Sequence, residues 1–270
     1  MREVRLQWLR PAEVLAERER ASIAYLPIGP LEWHGPHLPL GTDPLQAESL
    51  AVALAQELGG VVYPTLYWGT ERERSPELLR DLGFRGDEWI VGMDFPANSL
   101  PSFYAPEEQL AAVVRWTLDA IVAHGFQMIV LLNGHGATNQ IYHLQRLAAE
   151  FNARGPARII YVYPLSRETG DDPGHATITE TAAMLALDET RVDLAALPAT
   201  DQPLRNAEWA IVDADTFEGQ PTADHTVRPE NDPRRATPEL GRAHFAAAVA
   251  RLAKIVDEGR KTNDENGRSL

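Results

Sequence analysis

The chain contains no cysteine and no long uninterrupted run of apolar residues. Without cysteine there are no disulfides, no thiolate metal ligands and no cysteine nucleophile, so a metal site has to use nitrogen and oxygen ligands. No stretch approaches about eighteen consecutive apolar residues, and the N-terminus reaches polar Glu13 without the apolar core of a signal peptide. The sequence therefore predicts a cytoplasmic protein with no membrane partner.

Positive charge is also scarce, because 25 Lys and Arg residues stand against 39 Asp and Glu residues and leave a formal net charge of −14. Such a chain repels a phosphate backbone, and no basic stripe compensates, so nucleic acid is not an expected partner. The length of 270 residues with 44% hydrophobic residues suits one ordinary globular domain. We expect a single domain over residues 1–259 and a polar C-terminal tail over residues 260–270.

Short apolar runs alternate with longer segments of helical periodicity, which is typical of an α/β protein. Alternation of this kind predicts a mostly parallel sheet with right-handed crossovers. The expected strands cover residues 22–28, 61–64, 128–132 and 157–162, and the expected helices cover residues 44–58, 106–124, 138–154, 180–187 and 238–258. Residues 68–105 form a long irregular segment, which we interpret as a lid or an oligomer contact.

Residues 32–43 follow the first expected strand and carry Glu32, His34, His37 and Asp43. Carboxylates and imidazoles without thiols are the ligand set of zinc, manganese or iron. In open parallel sheets, ligands bind beyond the carboxyl ends of the strands, where this loop is expected to lie. A polar loop whose histidines cap a turn is the alternative, but so many ligand-type residues on one loop favour a metal site.

Two later segments place similar residues near expected strand and helix ends. Asn133-Gly134-His135-Gly136 follows the most hydrophobic strand, and its glycines permit a tight turn and close approach to a ligand. His175 lies in a loop, and Glu180 lies in the first turn of the next expected helix. Each segment alone is compatible with a structural role, but the topology places His135 beside the first cluster.

Together the three segments resemble the creatininase (creatinine amidohydrolase) family. Its pattern is Glu-x-His-Gly-x-His-Leu-Pro followed by Thr-Asp, then Asn-Gly-His-Gly, then His-Ala-x-x-x-Glu-Thr, and all occur here in order between about Leu26 and Leu187. The resemblance implies a three-layer α/β/α sandwich with a mostly parallel central sheet. It also implies a binuclear metal centre, hydrolysis of C–N bonds in cyclic amides or related small polar substrates, and a homo-oligomer, often a hexamer.

Carried over position by position, the resemblance assigns two divalent metal ions, zinc and/or manganese, with iron as a further option. The implied ligands are Glu32, His34, Asp43 and His135, with Asp43 bridging both ions. Creatininase itself has a glutamate at the position of Ala137. Family members with a small residue at that position still have a second glutamate, which corresponds to Glu180 in this chain. Glu180 is therefore the remaining ligand, or else a carboxylate on the metal-bound water, and His175 matches the catalytic histidine.

The expected chemistry is hydrolysis by hydroxide at neutral pH, since two ions that share a water lower its pKa and polarise a carbonyl. His175 would then protonate the leaving group. Three alternatives stay open: a hydrolase of the same scaffold that acts on a carbocyclic ketone of the inosose type or on a peptide, a catalytically silent metal-binding homologue, and a purely structural oligomer subunit. Because both His175 and Glu180 are present, the silent homologue is disfavoured.

Weaker candidates lie elsewhere in the chain. The aromatic residues of the irregular segment could line a pocket for a small ring, but packing on their own domain or on a neighbouring subunit is favoured for Trp68, Trp89, Phe95, Phe103 and Tyr104. His225 lies in a loop with Asp224, and it is a minor candidate for the site.

Overall fold

The computed structural model describes residues 2–164, 174–205 and 222–267. Within these ranges, helices and strands alternate as the sequence predicts. The strands are β1 (Ile23–Ile28), β2 (Val61–Val62), β3 (Met128–Asn133) and β4 (Arg158–Val162). The α-helices are α1 (Pro11–Arg20), α2 (Thr42–Leu58), α3 (Pro76–Asp81), α4 (Glu107–Ala123), α5 (Thr138–Arg154), α6 (Ile178–Asp188) and α7 (Pro238–Gly267).

The strands form one sheet in the order β2-β1-β3-β4, and every pairing between them is parallel. The pairing of β1 with β3 runs from Ile23 opposite Met128 to Ile28 opposite Asn133, so both strands end at the same level. The residues that follow β1 and β3 therefore emerge side by side at the carboxyl edge. The predicted parallel sheet is confirmed.

Helices cover both faces of the sheet, which explains why its strands are apolar without alternation. On one face, Ala24, Leu26 and Ile28 pack with residues of α4 and α5. On the other face, Ile23 and Tyr25 pack with residues of α2 and α7. The successive side chains of a strand point to opposite faces, and each face buries its own core. The α/β/α sandwich predicted from the sequence is confirmed.

Helix α2 begins earlier than the sequence suggests, at Thr42 instead of Pro44. Proline fits anywhere in the first turn of a helix, because the amide hydrogen that it lacks would have no partner there. Pro44 is the third residue of α2 and not the first. Asp43 therefore belongs to the first turn of α2 and not to the preceding loop, a correction that matters for the site. Helix α1, with no fully buried residue and no clear apolar stripe, was not predicted.

The C-terminal helix is also longer than predicted, since α7 continues past Glu258 to Gly267. The prediction that this helix ends at Glu258 is wrong, whereas the polar tail over residues 260–270 stays a prediction. Gly259 sits where α7 crosses β4, and a Cβ there would lie 2.3 Å from Cδ1 of Ile160. This glycine serves close packing within the helix. The extent of the domain, residues 1–259, stays a prediction.

The irregular segment 68–105 has a small core of its own, which includes α3. The rings of Phe84 and Phe95 stack at 5.9 Å between centroids, and Leu79 and Leu82 pack beside them. The packing predicted for Phe95 is confirmed, whereas Trp89 and Phe103 are 78% and 72% exposed.

In the described parts of the chain, no helix is long and apolar enough to cross a membrane.

Helix α7 holds α6 in place through a very close contact at Gly241. A Cβ on Gly241 would lie 1.8 Å from the carbonyl oxygen of Ala182. Any side chain there would push α6 away, and α6 carries Glu180.

We predict that Gly241→Ala lowers the free energy of unfolding by about 1–3 kcal/mol, because the new methyl group meets rigid backbone. Gly259→Ala is the matched control in the same helix, since its methyl group meets only the movable end of Ile160. Denaturant unfolding of both variants checks this. A Gly241→Ala protein as stable as the Gly259→Ala protein would show that α6 and α7 are not in this close contact.

Candidate metal centre

The side chains singled out from the three sequence segments converge at the carboxyl edge of the sheet. Glu32 and His34 follow β1, Asp43 lies in the first turn of α2, and His135 follows β3. Glu180 lies in the first turn of α6. All of these ligand candidates are buried, with at most 4% of each residue exposed. The predicted convergence of His135 on the first cluster is therefore observed.

Asp43 lies at the centre of this group. Its Oδ1 is 3.0 Å from Nε2 of His34, and its Oδ2 is 3.0 Å from Nδ1 of His135. The outer carboxylates lie on opposite sides, with Oε2 of Glu32 3.2 Å from Nδ1 of His135 and Oε2 of Glu180 3.7 Å from Nε2 of His34. Asp43 thus directs one oxygen to each half of the cluster.

The potential ligand atoms fall into overlapping sets in which all atoms lie within 4.8 Å of one another. One set is Glu32, Asp43 and His135, and another is His34, Asp43 and Glu180. These two sets share only Asp43. A third set combines Glu32 and His34 with His175, so proximity alone also allows His175 to contribute a ligand atom.

The buried carboxylates attract positive charge strongly. Burial lowers the pKa of His34, but the negative charges of Asp43, Glu180 and Glu32 outweigh it and raise that pKa to about 10. Burial also tends to lower the pKa of His135, but the carboxylates of Glu32 and Asp43 raise it well above its ordinary value. Buried charges need partners of opposite sign, and bound cations are the strongest ones that proteins use. The donor set and its charge therefore fit divalent ions.

Glycines bring the backbone segments of the centre into contact. A Cβ on Gly134 would lie 2.3 Å from the carbonyl oxygen of Asp43, and a Cβ on Gly29 would lie 2.9 Å from Cβ of Asp43. The sequence suggested that Gly134 allows close approach to a ligand. The structure shows a close approach to the backbone of α2 instead, which brings Asp43 next to the end of β3.

Asn133 fixes the position of the His135 loop. Its Nδ2 donates to the carbonyl oxygen of His135 at 2.7 Å, and its Oδ1 accepts from the amide of His135 at 3.1 Å. Gln140 on α5 also donates to that Oδ1, at 2.8 Å. Hydrogen bonds of this kind hold a ligand histidine in one orientation.

His175 lies at the edge of the centre and is anchored on one side. Its Nε2 is 2.6 Å from the carbonyl oxygen of Trp33, which only a protonated nitrogen satisfies, so Nδ1 carries the lone pair. That Nδ1 lies 3.8 Å from Oε2 of Glu32. Burial, reinforced by the positive charge of His34, lowers the pKa of His175 to about 4. The imidazole is therefore neutral and presents an acceptor to the centre.

The backbone between His175 and Glu180 has an uncommon conformation. Ala176 has a φ of 56°, in the left-handed region that residues other than glycine rarely adopt. Its amide donates to Oε2 of Glu180 at 2.6 Å. Strained residues of this kind persist where the surrounding structure requires them, often at functional sites. Here the strained residue lies directly after His175 and donates a hydrogen bond to Glu180.

Sequence reasoning missed the role of Tyr104. Its hydroxyl donates to Oε1 of Glu32, and it accepts from the amide of Met93 at 3.1 Å. The Tyr104 hydroxyl can lie this close to the backbone only because residue 92 is glycine. Gly92 has a φ of 56°, and a Cβ on it would lie 2.6 Å from the Tyr104 oxygen. Tyr104 packs on its own domain, as the sequence favoured, but its hydroxyl also contacts Glu32. No spacing rule relates Tyr104 to Glu32, since they meet only in the folded chain.

Two further histidines lie outside the ligand sets. His37 is buried, with Nε2 3.0 Å from Oγ1 of Thr181, and it joins the first loop to α6. His225 has Nε2 3.7 Å from Oδ2 of Asp81 at the end of α3. His225 therefore contacts the 68–105 segment, and it belongs to none of the ligand sets among the described residues.

Comparison with known proteins agrees with this arrangement. The family model described as "Creatininase: Creatinine amidohydrolase" matches residues 7–256. The chain belongs to the creatininase family. A curated relative, the creatinine amidohydrolase of Pseudomonas putida, is 25% identical over 191 residues, which cover 64% of this chain and 66% of the relative. The match thus spans slightly less than two thirds of the relative.

Solved structures of the creatininase family share the fold. A crystal structure of creatinine amidohydrolase (creatininase) has a TM-score of 0.66 at 22% identity and covers 96% of this chain and 98% of that chain. A putative creatinine amidohydrolase from Bacteroides fragilis NCTC 9343 has a TM-score of 0.63 at 22% identity, with 96% and 97% covered. The resemblance found in the sequence, both in family and in fold, is confirmed.

We predict that Tyr104→Phe weakens divalent metal binding about 10- to 100-fold without unfolding the protein, because Glu32 loses the hydroxyl that orients it. Calorimetric titration of the metal-free protein with Mn²⁺ measures this affinity. Tyr142→Phe, an exposed tyrosine on α5, is the control. Equal affinity in both variants would mean that the Tyr104 hydroxyl has no influence on metal binding.

Proposed function

We propose that the protein is a metal-dependent hydrolase of the amidohydrolase type that cleaves or opens a cyclic amide or a related C–N bond in a small polar substrate. The observation that carries this proposal is the position of Asp43, whose two oxygens each face one of two otherwise separate donor sets. Membership in the creatininase family supports it. A carboxylate between two donor sets suits a binuclear centre, in which two ions lie close together.

The donor sets suggest how two ions are held. Glu32, Asp43 and His135 would bind one ion, and His34, Asp43 and Glu180 would bind the other. The sequence left Glu180 as either a ligand or a carboxylate on a bound water. Its place beside His34 and Asp43 supports the role of ligand. One structure of similar fold is described as a manganese creatininase and another as a Zn-Zn variant, which supports zinc or manganese here.

Divalent ions held by these residues would supply the chemistry of water activation at neutral pH and of carbonyl polarisation. His175 supplies the proton transfer. Its Nε2 proton is committed to the carbonyl of Trp33, so the free Nδ1 accepts a proton released during the attack. The same nitrogen then passes that proton to the leaving nitrogen atom, which otherwise departs as a poor anionic group.

The choice of an amide-like substrate rests on the family and on one related structure, a creatininase variant complexed with creatine. A carbocyclic ketone of the inosose type and a peptide are the alternatives within the same scaffold. The anchored His175 disfavours a catalytically silent homologue, since metal binding alone does not need a proton carrier. Cytoplasmic location and assembly into a homo-oligomer, with a hexamer as one form, also stay predictions.

We predict about two divalent ions per chain after reconstitution with zinc or manganese. Asp43→Ala should lose most of both ions, because it removes the residue common to the two sets, whereas Glu180→Gln should lose about one. Elemental analysis after gel filtration measures the content, with the exposed Asp119→Asn on α4 as the control. Full metal content in Asp43→Ala would contradict the bridging role.

The substrate class is tested by turnover of the metal-loaded protein on creatinine, other cyclic amides, formamides, cyclic polyol ketones and short peptides. On the substrate found, His175→Ala should keep its metals and lose roughly two to four orders of magnitude in rate, as expected for a positioned acid or base. His135→Ala should lose both metal and activity. A metal-free His175→Ala protein would make His175 a ligand, and a fully active one would remove it from the mechanism.

A further inference from the structure

Tyr163 lies one residue beyond β4 and reaches the same edge of the sheet as the metal centre. Strand β4 pairs with β3, so Tyr163 emerges beside the loop that carries His135. Its hydroxyl lies over Gly136, where an added Cβ would be only 2.7 Å from the Tyr163 oxygen. Gly136 is exposed. The half-buried phenol therefore lies next to a buried ligand histidine and over an exposed backbone position, and it does so because residue 136 has no side chain.

The hydroxyl of Tyr163 has no hydrogen-bond partner among the residues that the structure describes. Other tyrosine hydroxyls at this edge are engaged: that of Tyr161 accepts from Nδ2 of Asn133 at 3.0 Å, and that of Tyr104 donates to Glu32. The phenol hydroxyl of a buried tyrosine usually finds a partner. A hydroxyl without a partner among the described residues, beside a candidate reaction centre, can donate to a molecule that enters.

The surroundings of this hydroxyl also favour its protonated form. Burial raises the pKa of Tyr163, and the negative charges of Glu180 and Asp43 raise it further. The phenol therefore stays protonated and can donate its hydrogen. A neutral donor near developing negative charge is the type of group that stabilises the transition state of carbonyl hydrolysis.

We propose that Tyr163 is a substrate-binding residue that donates a hydrogen bond from its hydroxyl to a carbonyl or hydroxamate-type oxygen of a ligand at the metal centre, in the space that Gly136 leaves open. This assignment rests on the proposed function. It names a specificity residue supplied by β4, which neither the ligand sets nor the three sequence segments include. Ligands without an oxygen at that point lose the contact.

The test uses the Mn²⁺-loaded protein and acetohydroxamate, a small amide-derived chelator, titrated by calorimetry. Tyr163→Phe should bind acetohydroxamate about tenfold more weakly, which is the loss expected for one hydrogen bond to a charged or polarised oxygen. Its metal content and melting temperature should not change, since the hydroxyl supports no described residue. Gly136→Ala should weaken binding similarly by displacing the phenol, and Tyr142→Phe should bind like the wild type.

Each outcome separates this inference from the proposed function. If the wild type binds no metal, the proposed function fails, and the inference fails with it. If the wild type binds metal but Tyr163→Phe retains full affinity for acetohydroxamate, or the wild type does not bind acetohydroxamate at all, only the role of Tyr163 is overturned. If Tyr163→Phe loses metal or melts much earlier, the residue supports the fold and not the ligand.

Discussion

Buried negative charge is the constraint on which the rest of this structure depends. Glu32, Asp43 and Glu180 lie together at the carboxyl edge of the sheet, almost inaccessible to water. Removing each carboxylate from water destabilises the folded protein by several kcal/mol unless positive charge compensates it. His34 and His135 lie between them, and their raised pKa values show how strongly the cluster attracts a cation. A cluster of this kind therefore requires compensating positive charge, from protonated histidines or from bound cations.

The architecture brings these carboxylates together from distant parts of the chain. Gly29 and Gly134 let the ends of β1 and β3 contact the first turn of α2, which fixes Asp43. The contact of α7 with α6 at Gly241 fixes Glu180 from the other side. The 68–105 segment, which has its own small core, brings Tyr104 onto Glu32. The stability of the fold and the geometry of the site are therefore coupled through a few close backbone contacts.

Much of this could be predicted from the sequence, because it depends on local patterns. The apolar runs of β1 and β3 identify strands covered on both faces, and ligand-type residues directly after them lie at the carboxyl edge of a parallel sheet. Glu32, His34, Asp43 and His135 were singled out in this way. His175 and Glu180 lie at a loop-to-helix junction, and their roles, like the full ligand set, came from the resemblance to the creatininase family. The structure brings all of these side chains together.

The remaining features depend on contacts between distant residues, which leave no periodic signal in the sequence. The sequence predicts that the last helix ends at Glu258, but α7 continues through Gly259, which packs closely against Ile160. Tyr104 and Tyr163 are ordinary aromatic residues until folding places one hydroxyl on Glu32 and the other over Gly136. Asp43 was assigned to a loop because Pro44 resembled the start of the helix.

We propose that Asp43 would join two metal ions in one centre. Crystals of the Mn²⁺-reconstituted protein, measured at the manganese absorption edge, give the most direct test because the anomalous signal locates each ion independently of the protein atoms. We predict two anomalous peaks in each chain, both next to the Asp43 carboxylate, one on the side of His135 and one on the side of His34. A single peak, or a peak bound by His175 and not by Asp43, would contradict this account.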